Sequence, residues 1–294
     1  MSQMGVLFVP SGPGLNSAPA REFLAPIFER TGRTVFWNEP SSFRGNPSPP
    51  GDLPAWENLV ASLAASARSF TSPFVVVTES FGSLLAEALY RELAMTGDAN
   101  RIAGFLHTPP TIDLLHVFRR SLEMGQDDFA ELGDAPRLER MKRLLAELER
   151  DPRIDSPALL EGVVLAFESP KIMTHYFRTQ DSLMRWAGAF GTPESAPEPA
   201  MRDRILRGMG AANAPLRTTF APDVPTFVCA GDHDPYEPLS VFAGLVETAR
   251  KSPGRRSEIV WHPMRESGHY PYADQPERWE SEVWRPFLSL VEGR

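Results

Sequence analysis

Phe74-Val75-Val76-Val77-Thr78-Glu79-Ser80-Phe81-Gly82-Ser83 is the segment that decides the fold of this chain. Its β-branched run predicts a short buried strand, and the helix formers from Leu84 to Leu89 predict a helix directly after it. A strand that turns sharply through a serine into a helix is a nucleophile elbow, in which the serine hydroxyl stands clear of the sheet. Gly82 suits such a turn because a residue without Cβ lets helix and strand approach closely.

The elbow departs from its consensus, Gly-x-Ser-x-Gly, at one position. Thr78 replaces the first glycine, and this position requires a small residue rather than glycine itself. A serine followed two residues later by glycine is common after strands, so a second interpretation stays open. In that interpretation Ser80 only caps the helix that follows.

A catalytic serine needs a histidine to take its proton and a carboxylate to orient that histidine. In this type of sheet the three follow in the order serine, acid, histidine, with the last two on loops after later strands. A predicted strand over 225–230 runs into Asp232 and Asp234, and another over 258–261 precedes His269. We therefore predict the triad Ser80, Asp234 and His269, with Asp232 as the alternative acid and more suitable as a turn former.

The reaction also needs two backbone N–H groups that meet the developing negative charge. Phe81, directly after the nucleophile, is expected to supply one. Gly12, in the turn Pro10-Ser11-Gly12-Pro13-Gly14 after the first predicted strand, is expected to supply the other. The alternative is an ordinary strand–helix turn, which would explain the glycines but not their position opposite the elbow.

The remaining histidines and the single cysteine point to structural roles. His233 stands between two aspartates, but neighbouring residues of an extended segment point to opposite sides, so we expect no metal there. Cys229 lies within a predicted buried strand and is expected to be a structural thiol. His107, His116 and His262 are also expected to be structural. No cofactor is predicted.

Composition limits the partners. The chain has 294 residues, 42% of them hydrophobic, and a net charge of −8, which argues against nucleic acid because phosphates require a basic surface. No apolar run reaches the length of roughly 20 residues that a membrane helix needs, and no signal peptide is visible. We expect a cytoplasmic protein that acts on a small molecule; the oligomeric state is not predicted.

Strands and helices alternate over the first third of the chain and again near its end. This alternation predicts an α/β fold with a mostly parallel sheet of about six strands and helices on both faces. The segment 111–220 instead has helical periodicity, clearest over 138–150. We therefore predict a core formed by 1–110 and 221–294, with 111–220 as a helical cap.

These features resemble the α/β-hydrolase superfamily, and within it the branch of the proline iminopeptidases. Pro10–Gly14 is similar to the branch's His-Gly-Gly-Pro-Gly oxyanion loop, Arg44-Gly45 to its Asp-Gln-Arg-Gly, and Thr78–Gly82 to its Gly-Gly-Ser-Trp-Gly elbow. His175-Tyr176-Phe177 resembles the end of its cap motif Glu-Asn-His-Tyr-Phe. The superfamily resemblance spans nearly the whole chain, whereas the branch resemblance rests on short motifs.

The departures from that branch bear on the substrate. The resemblance implies that a cap glutamate pairs with the free amino group of a peptide substrate, and Met173 stands at that place here. Ser42 replaces the aspartate before Arg-Gly, and Pro10 replaces the first histidine of the oxyanion loop. We expect a neutral, fairly apolar acyl substrate, with Met173, Tyr176, Phe177 and Trp186 of the cap as candidate binding residues.

The sequence thus predicts a serine hydrolase that cleaves an ester, lactone, thioester or amide through an acyl-enzyme. Three alternatives stay open. They are an aminopeptidase of the iminopeptidase type, carbon–carbon hydrolysis or acyl transfer on the same triad, and a non-catalytic protein that binds a small molecule.

Overall fold

A computed structural model describes residues 4–39, 56–191 and 200–293. Six parallel strands form one sheet in the order β2-β1-β3-β4-β5-β6. The strands are β1 (Gly5–Val9), β2 (Thr34–Phe36), β3 (Phe74–Ser80), β4 (Ile102–Pro110), β5 (Thr226–Gly231) and β6 (Ile259–Met264). The predicted α/β fold with about six strands is confirmed.

Twelve helices are described, and they lie mostly between consecutive strands. They are α1 (Ala18–Phe28), α2 (Trp56–Arg68), α3 (Gly82–Thr96), α4 (Leu114–Glu131), α5 (Ala135–Arg150), α6 (Pro157–Ala166), α7 (Gln180–Gly188), α8 (Met201–Ala211), α9 (Leu239–Arg250), α10 (Pro271–Asp274), α11 (Pro276–Trp279) and α12 (Arg285–Glu292). Short 3₁₀ turns precede β4 and α7, and a π turn joins α11 to α12.

Alternate side chains of the central strands enter different hydrophobic clusters. Leu7 and Val76 belong to the cluster built with α2 and α3, whereas Phe8 and Val77 belong to the one built with α1 and the C-terminal helices. Successive strand residues point to opposite faces, so a sheet covered on both sides needs continuous apolar runs. This explains the unbroken apolar runs Val6–Val9 in β1 and Phe74–Val77 in β3.

The segment between β4 and β5 contains α4 to α8 and, within its described residues, no strand. The amphipathic stretch predicted over 138–150 lies in α5, whose residues Met141, Leu144 and Leu148 are buried against the neighbouring helices. The division of the chain into a core and a cap over 111–220 stays a prediction, although the helices fall in that segment. We call α4 to α8 the insertion helices.

Three elements differ clearly from the extents that the sequence predicts. The apolar run 102–106 predicts a strand, but β4 continues to Pro110 because its last residues pair with the elbow after a shift of register between Thr78 and Ser80. β6 continues to Met264, beyond the predicted 258–261. The helical pattern of 276–291 predicts one C-terminal helix, which the π turn divides into α11 and α12. Ser42 and Arg44-Gly45, which carry part of the branch resemblance, lie outside the described residues.

Gly82 occupies a position where a side chain has no room. A Cβ built there would lie 2.4 Å from the carbonyl oxygen of Val9 and 2.8 Å from that of Pro10. We expect Gly82→Ala to lower the free energy of unfolding by about 3 kcal/mol, since backbone must move to accept the methyl group. Urea unfolding followed by circular dichroism measures this change.

Gly244→Ala is the matched control, because a Cβ built on Gly244 in α9 meets no atom within 4 Å. Alanine is the better helix former, so this variant should gain roughly 0.5–1 kcal/mol. Equal stability changes in the two variants would contradict the close approach of helix and strand at Gly82.

None of the helices in the described segments is long and apolar enough to cross a lipid bilayer.

Candidate active site

Ser80 is the last residue of β3 and has the strained backbone of a nucleophile elbow. Its φ angle is 47°, in the left-handed region that residues with a side chain rarely adopt. Two hydrogen bonds fix its carbonyl oxygen: Ser83 Oγ donates at 2.8 Å and the backbone N–H of Thr111 at 3.3 Å. The structure therefore anchors the turn on both the α3 side and the β4 side.

Thr78, the departure from the elbow consensus, has a partner for its hydroxyl group. Thr78 Oγ1 lies 2.7 Å from Nδ1 of His107 on the neighbouring strand β4. Burial lowers the pKa of His107 to about 3, so its ring is neutral. The hydroxyl group of Thr78 is thus paired, whereas Nε2 of His107 is buried without a hydrogen-bond partner among the described residues. His107 does not line the cavity described below, and its structural role stays a prediction.

His269 and Asp234 form a buried pair. His269 Nδ1 and Asp234 Oδ2 are 2.7 Å apart, and the two side chains are 5% and 0% exposed. The other carboxylate oxygen of Asp234 accepts from the backbone N–H groups of Tyr236 at 2.9 Å and Glu237 at 3.3 Å. Because Nδ1 is engaged by Asp234, Nε2 is the ring nitrogen left to act on another group.

Asp232, the alternative acid, is used elsewhere. Its Oδ1 accepts a hydrogen bond from the backbone N–H of Ser267 at 3.2 Å, which ties the loop after β5 to the loop after β6. It is thus a loop-fixing residue. Of the two aspartates, Asp234 is the one in contact with His269.

One cavity of about 310 Å³ joins the predicted groups. Its wall includes Ser80, His269 and Gly12, together with side chains of the insertion helices. This volume suits a small organic molecule. Residues from the loop after β1, the end of β3 and the loop after β6 therefore meet at one side of the sheet, as expected for carboxyl ends of parallel strands.

Comparison with solved structures identifies this architecture. A proline iminopeptidase-related protein from Thermus thermophilus superposes with a TM-score of 0.67 at 21% identity, over 100% of this chain and 92% of that one. A thermophilic esterase from Thermogutta terrifontis gives a TM-score of 0.58 at 20% identity, over 98% and 90% of the two chains. The chain has the α/β-hydrolase fold.

Proline iminopeptidase from Mycobacterium smegmatis, with a TM-score of 0.55 at 16% identity, covers 99% of this chain and is itself 91% covered. No family model and no curated protein matches the sequence. Similarity at these identities establishes the α/β-hydrolase fold, and the site must be judged on its own residues.

The predicted oxyanion donors are Phe81, which follows Ser80 in the chain, and Gly12, in the loop after β1. Phe81 is fully buried and precedes α3, so its N–H belongs to the helix N-terminus, where backbone donors lack intrahelical acceptors. Gly12 lines the cavity in the loop after β1. Both assignments stay predictions, and the placement of the two residues is compatible with them.

Glu39 supports the loop that contains Gly12. This buried carboxyl follows β2, and its Oε2 accepts from the backbone N–H of Gly14 at 2.9 Å. Burial raises the pKa of Glu39 to about 8, although the bond from Gly14 lowers it in part. No sequence pattern pointed to this residue, because its role depends on two loops that are distant in sequence.

Glu39 should make stability depend on pH. Its folded pKa of about 8 exceeds the ordinary value of 4.5, so the folded state keeps a proton that the unfolded chain has lost. This contribution is complete below pH 4.5 and is lost as the pH rises to about 8. Relative to wild type, Glu39→Gln, which stays neutral and keeps an acceptor for Gly14, should gain a few kcal/mol between pH 5 and pH 8.5.

Urea unfolding of both proteins at the two pH values measures the effect. A difference in stability that is the same at both pH values would contradict a proton held by Glu39.

Three of the four candidate binding residues line the cavity, namely Met173, Tyr176 and Trp186. Phe177 is not among the lining residues. Its ring packs behind them, 5.2 Å from the ring of Tyr270 and 5.5 Å from that of Trp186. Sequence neighbours on a short turn point in different directions, so Tyr176 faces the cavity and Phe177 the interior.

Tyr176 also holds the loop of His269 in place. Its carbonyl oxygen accepts from the backbone N–H of His269 at 2.8 Å. A Cβ on Gly268 would lie 2.3 Å from the same oxygen, so the insertion and the histidine loop are in close contact. This main-chain role could not be inferred from the side chain.

Three further groups at the site were not predicted. Tyr236 and Tyr270 line the cavity and pack edge-on to the ring of His269, with centroids 5.1 Å and 5.0 Å away. Glu79 is buried and precedes Ser80 in the chain, and burial raises the pKa of its carboxyl to about 7. The sequence could have indicated the two tyrosines, because Tyr236 follows Asp234 by two residues and Tyr270 is next to His269. It contains no signal for the burial of Glu79.

The other histidines lie outside the cavity. His175 Nε2 is 2.9 Å from Asp128, His262 Nε2 is 3.2 Å from Glu282, and His116 Nε2 is 3.4 Å from Glu237. His233 is half exposed. Among residues 4–39, 56–191 and 200–293, no group of three or more His, Cys, Asp or Glu side chains could hold a metal ion.

Proposed function

We propose that this protein is a serine hydrolase that cleaves an ester, lactone, thioester or amide of a small, fairly apolar substrate. The observation that carries the proposal is the buried pair His269–Asp234, 2.7 Å apart, beside the same cavity as the strained Ser80. Esterases and hydrolases among the proteins of similar fold support it.

The proposed mechanism follows from these positions. Nε2 of His269 takes the proton of Ser80 as its Oγ attacks the carbonyl carbon, and Asp234 stabilises the imidazolium that forms. The N–H groups of Phe81 and Gly12 would bind the oxyanion. His269 then protonates the leaving group, and a water molecule, activated by the same histidine, hydrolyses the acyl-enzyme.

Tyr236 and Tyr270 surround the His269 imidazole with neutral rings, which suits its proposed role as a general base and acid. Burial raises the pKa of both hydroxyl groups well above 10, so they stay protonated while the histidine changes its charge. Their edge-on packing restricts rotation of the His269 ring. A restricted ring keeps Nε2 directed into the cavity, which is what proton transfer requires.

An aminopeptidase of the iminopeptidase type is the second candidate, because two of the structures with this fold are a proline iminopeptidase and a related protein. Recognition of a free ammonium group would require a carboxylate at the cavity. The lining residues that the structure describes include no Asp or Glu, and Met173 lies at the position of the branch's glutamate. The composition of the wall therefore favours esters and related acyl compounds.

A fluorophosphonate probe followed by a substrate panel tests the proposal. We expect labelling at Ser80, identified by peptide mass spectrometry, and turnover of p-nitrophenyl esters with little release of arylamine from a prolyl arylamide. Efficient release from the prolyl arylamide would favour the second candidate. If the protein showed no labelling and no turnover, the result would favour a protein that only binds its small molecule.

A further inference from the structure

Arg202 is the only residue with a permanent charge among the described residues that line the cavity. It lies in the first turn of α8, and its side chain is only 18% exposed. The rest of the wall is apolar or carries neutral hydroxyl groups, apart from His269. An arginine beside an apolar cavity is costly to desolvate unless an anion accompanies it.

Asp203 is the anionic partner of Arg202 in the structure, but it occupies only part of the guanidinium group. Nε and Nη2 both donate to the same oxygen of Asp203, at 3.1 Å and 3.0 Å. Asp203 is the next residue in sequence, and its side chain is 36% exposed. These two bonds use two of the five N–H donors of a guanidinium. The remaining N–H groups can still donate to a second anion in bidentate geometry.

The backbone of Arg202 lies close to the loop after β1. A Cβ on Gly14 would lie 2.8 Å from the backbone nitrogen of Arg202 and 3.0 Å from its Cα. Gly14 belongs to the same loop as Gly12, and its backbone N–H donates a hydrogen bond to the carboxyl group of Glu39. The guanidinium therefore extends from a point in contact with the predicted oxyanion loop.

We propose that the substrate is not neutral, as the sequence predicts, but carries a carboxylate away from its scissile carbonyl group, and that Arg202 binds this carboxylate. This inference rests on the proposed function for the identity of the reacting group. Binding of a carboxylate to Arg202 does not itself require catalysis. The apolar body of the substrate would lie against Val117, Phe118, Val163, Phe167 and Met173, which line the same cavity.

Two pairs of esters test the proposal, one for each end of the substrate. The first compares mono-p-nitrophenyl adipate with p-nitrophenyl hexanoate, and the second compares p-carboxyphenyl hexanoate with phenyl hexanoate. In each pair the acidic and the neutral ester have similar shapes. The measured quantity is the ratio of kcat/KM for the acidic ester to that for the neutral one, so a general loss of activity cancels.

Arg202→Gln should lower this ratio by roughly tenfold or more in at least one pair, since a charge-assisted hydrogen bond is lost. Arg202→Lys should keep part of the preference, because it keeps the charge and loses the planar fork. Arg207→Gln is the matched control: it removes the same charge from an exposed position of the same helix and should leave both ratios at their wild-type values.

A calorimetric titration separates this proposal from the proposed function. Monomethyl adipate should bind to Ser80→Ala more tightly than methyl hexanoate does, and the additional change Arg202→Gln should remove the difference. That result would support the carboxylate site even if the wild-type protein hydrolysed none of the esters. Unchanged ratios in both ester pairs or an equal effect of Arg207→Gln would overturn it. So would equal binding to Ser80→Ala within both pairs of titrants, monomethyl adipate against methyl hexanoate and p-carboxyphenyl hexanoate against phenyl hexanoate.

Discussion

Ser80→Ala is expected to lower kcat/KM for a p-nitrophenyl ester by about 10⁵-fold or more and to abolish labelling by a fluorophosphonate. Removing the attacking oxygen leaves only the binding contacts and the oxyanion donors, which account for a small part of the catalysis in triad enzymes. Ser80 already has a φ of 47°, and alanine tolerates this conformation no worse than serine does. The fold should therefore survive, and stopped-time assays at equal protein concentration measure the loss.

Ser252→Ala is the matched control for this variant. Ser252 is exposed at the end of α9, where its hydroxyl donates to the carbonyl of Thr248 at 3.1 Å. The control should keep both labelling and turnover. Residual turnover above about one part in a hundred in Ser80→Ala, with label still incorporated, would mean that another residue is the nucleophile.

Asp234→Asn should lower kcat/KM by about 10⁴-fold. The carboxylate that contacts Nδ1 of His269 would become an amide, which can no longer stabilise the imidazolium and favours the wrong tautomer of the ring. The variant has nearly the same volume as the wild type and keeps an oxygen that can accept from Tyr236 and Glu237. Loss of activity would thus reflect the charge and not the fold, which circular dichroism can verify.

Asp232→Asn is the decisive comparison because Asp232 was the alternative acid. In the structure its carboxylate accepts from the backbone N–H of Ser267, a bond that asparagine can also accept, and lies 3.8 Å from Nε2 of the exposed His233. We expect activity within a few fold of wild type, since one neutral hydrogen bond contributes about 1 kcal/mol. A larger loss in Asp232→Asn than in Asp234→Asn would reverse the assignment.

The fold and the three candidate catalytic residues were predictable because their signals are local. Continuous apolar runs such as β3 mark strands covered on both faces, and a serine between a strand and a helix marks an elbow. The acid and the histidine then follow from their places after later strands, since parallel strands end at the same edge of the sheet. The meeting of Ser80 and His269 at one cavity agrees with that reasoning.

Which of two neighbouring residues takes part in the candidate site could not be predicted from the local sequence. Asp232 and Asp234 are two residues apart, and only the path of the loop after β5 directs one toward Ser267 and the other toward His269. Tyr176 and Phe177 are adjacent, and only the packing of the insertion brings one to the cavity and leaves the other behind Tyr270. The sequence predicts the same binding role for Tyr176 and Phe177 because it does not show in which direction each side chain points.

The amino-acid sequence by itself determined the α/β architecture, the elbow and the order of the candidate triad, because hydrophobic periodicity and turn chemistry act over a few residues. The tertiary structure alone placed Arg202 beside the predicted oxyanion loop and buried the carboxyl of Glu39 against Gly14 of that loop. Burial, charge environment and pKa arise from groups that are distant in sequence and become neighbours only in the folded chain. The chemistry of the cavity wall, and with it the class of substrate, is therefore a property of packing.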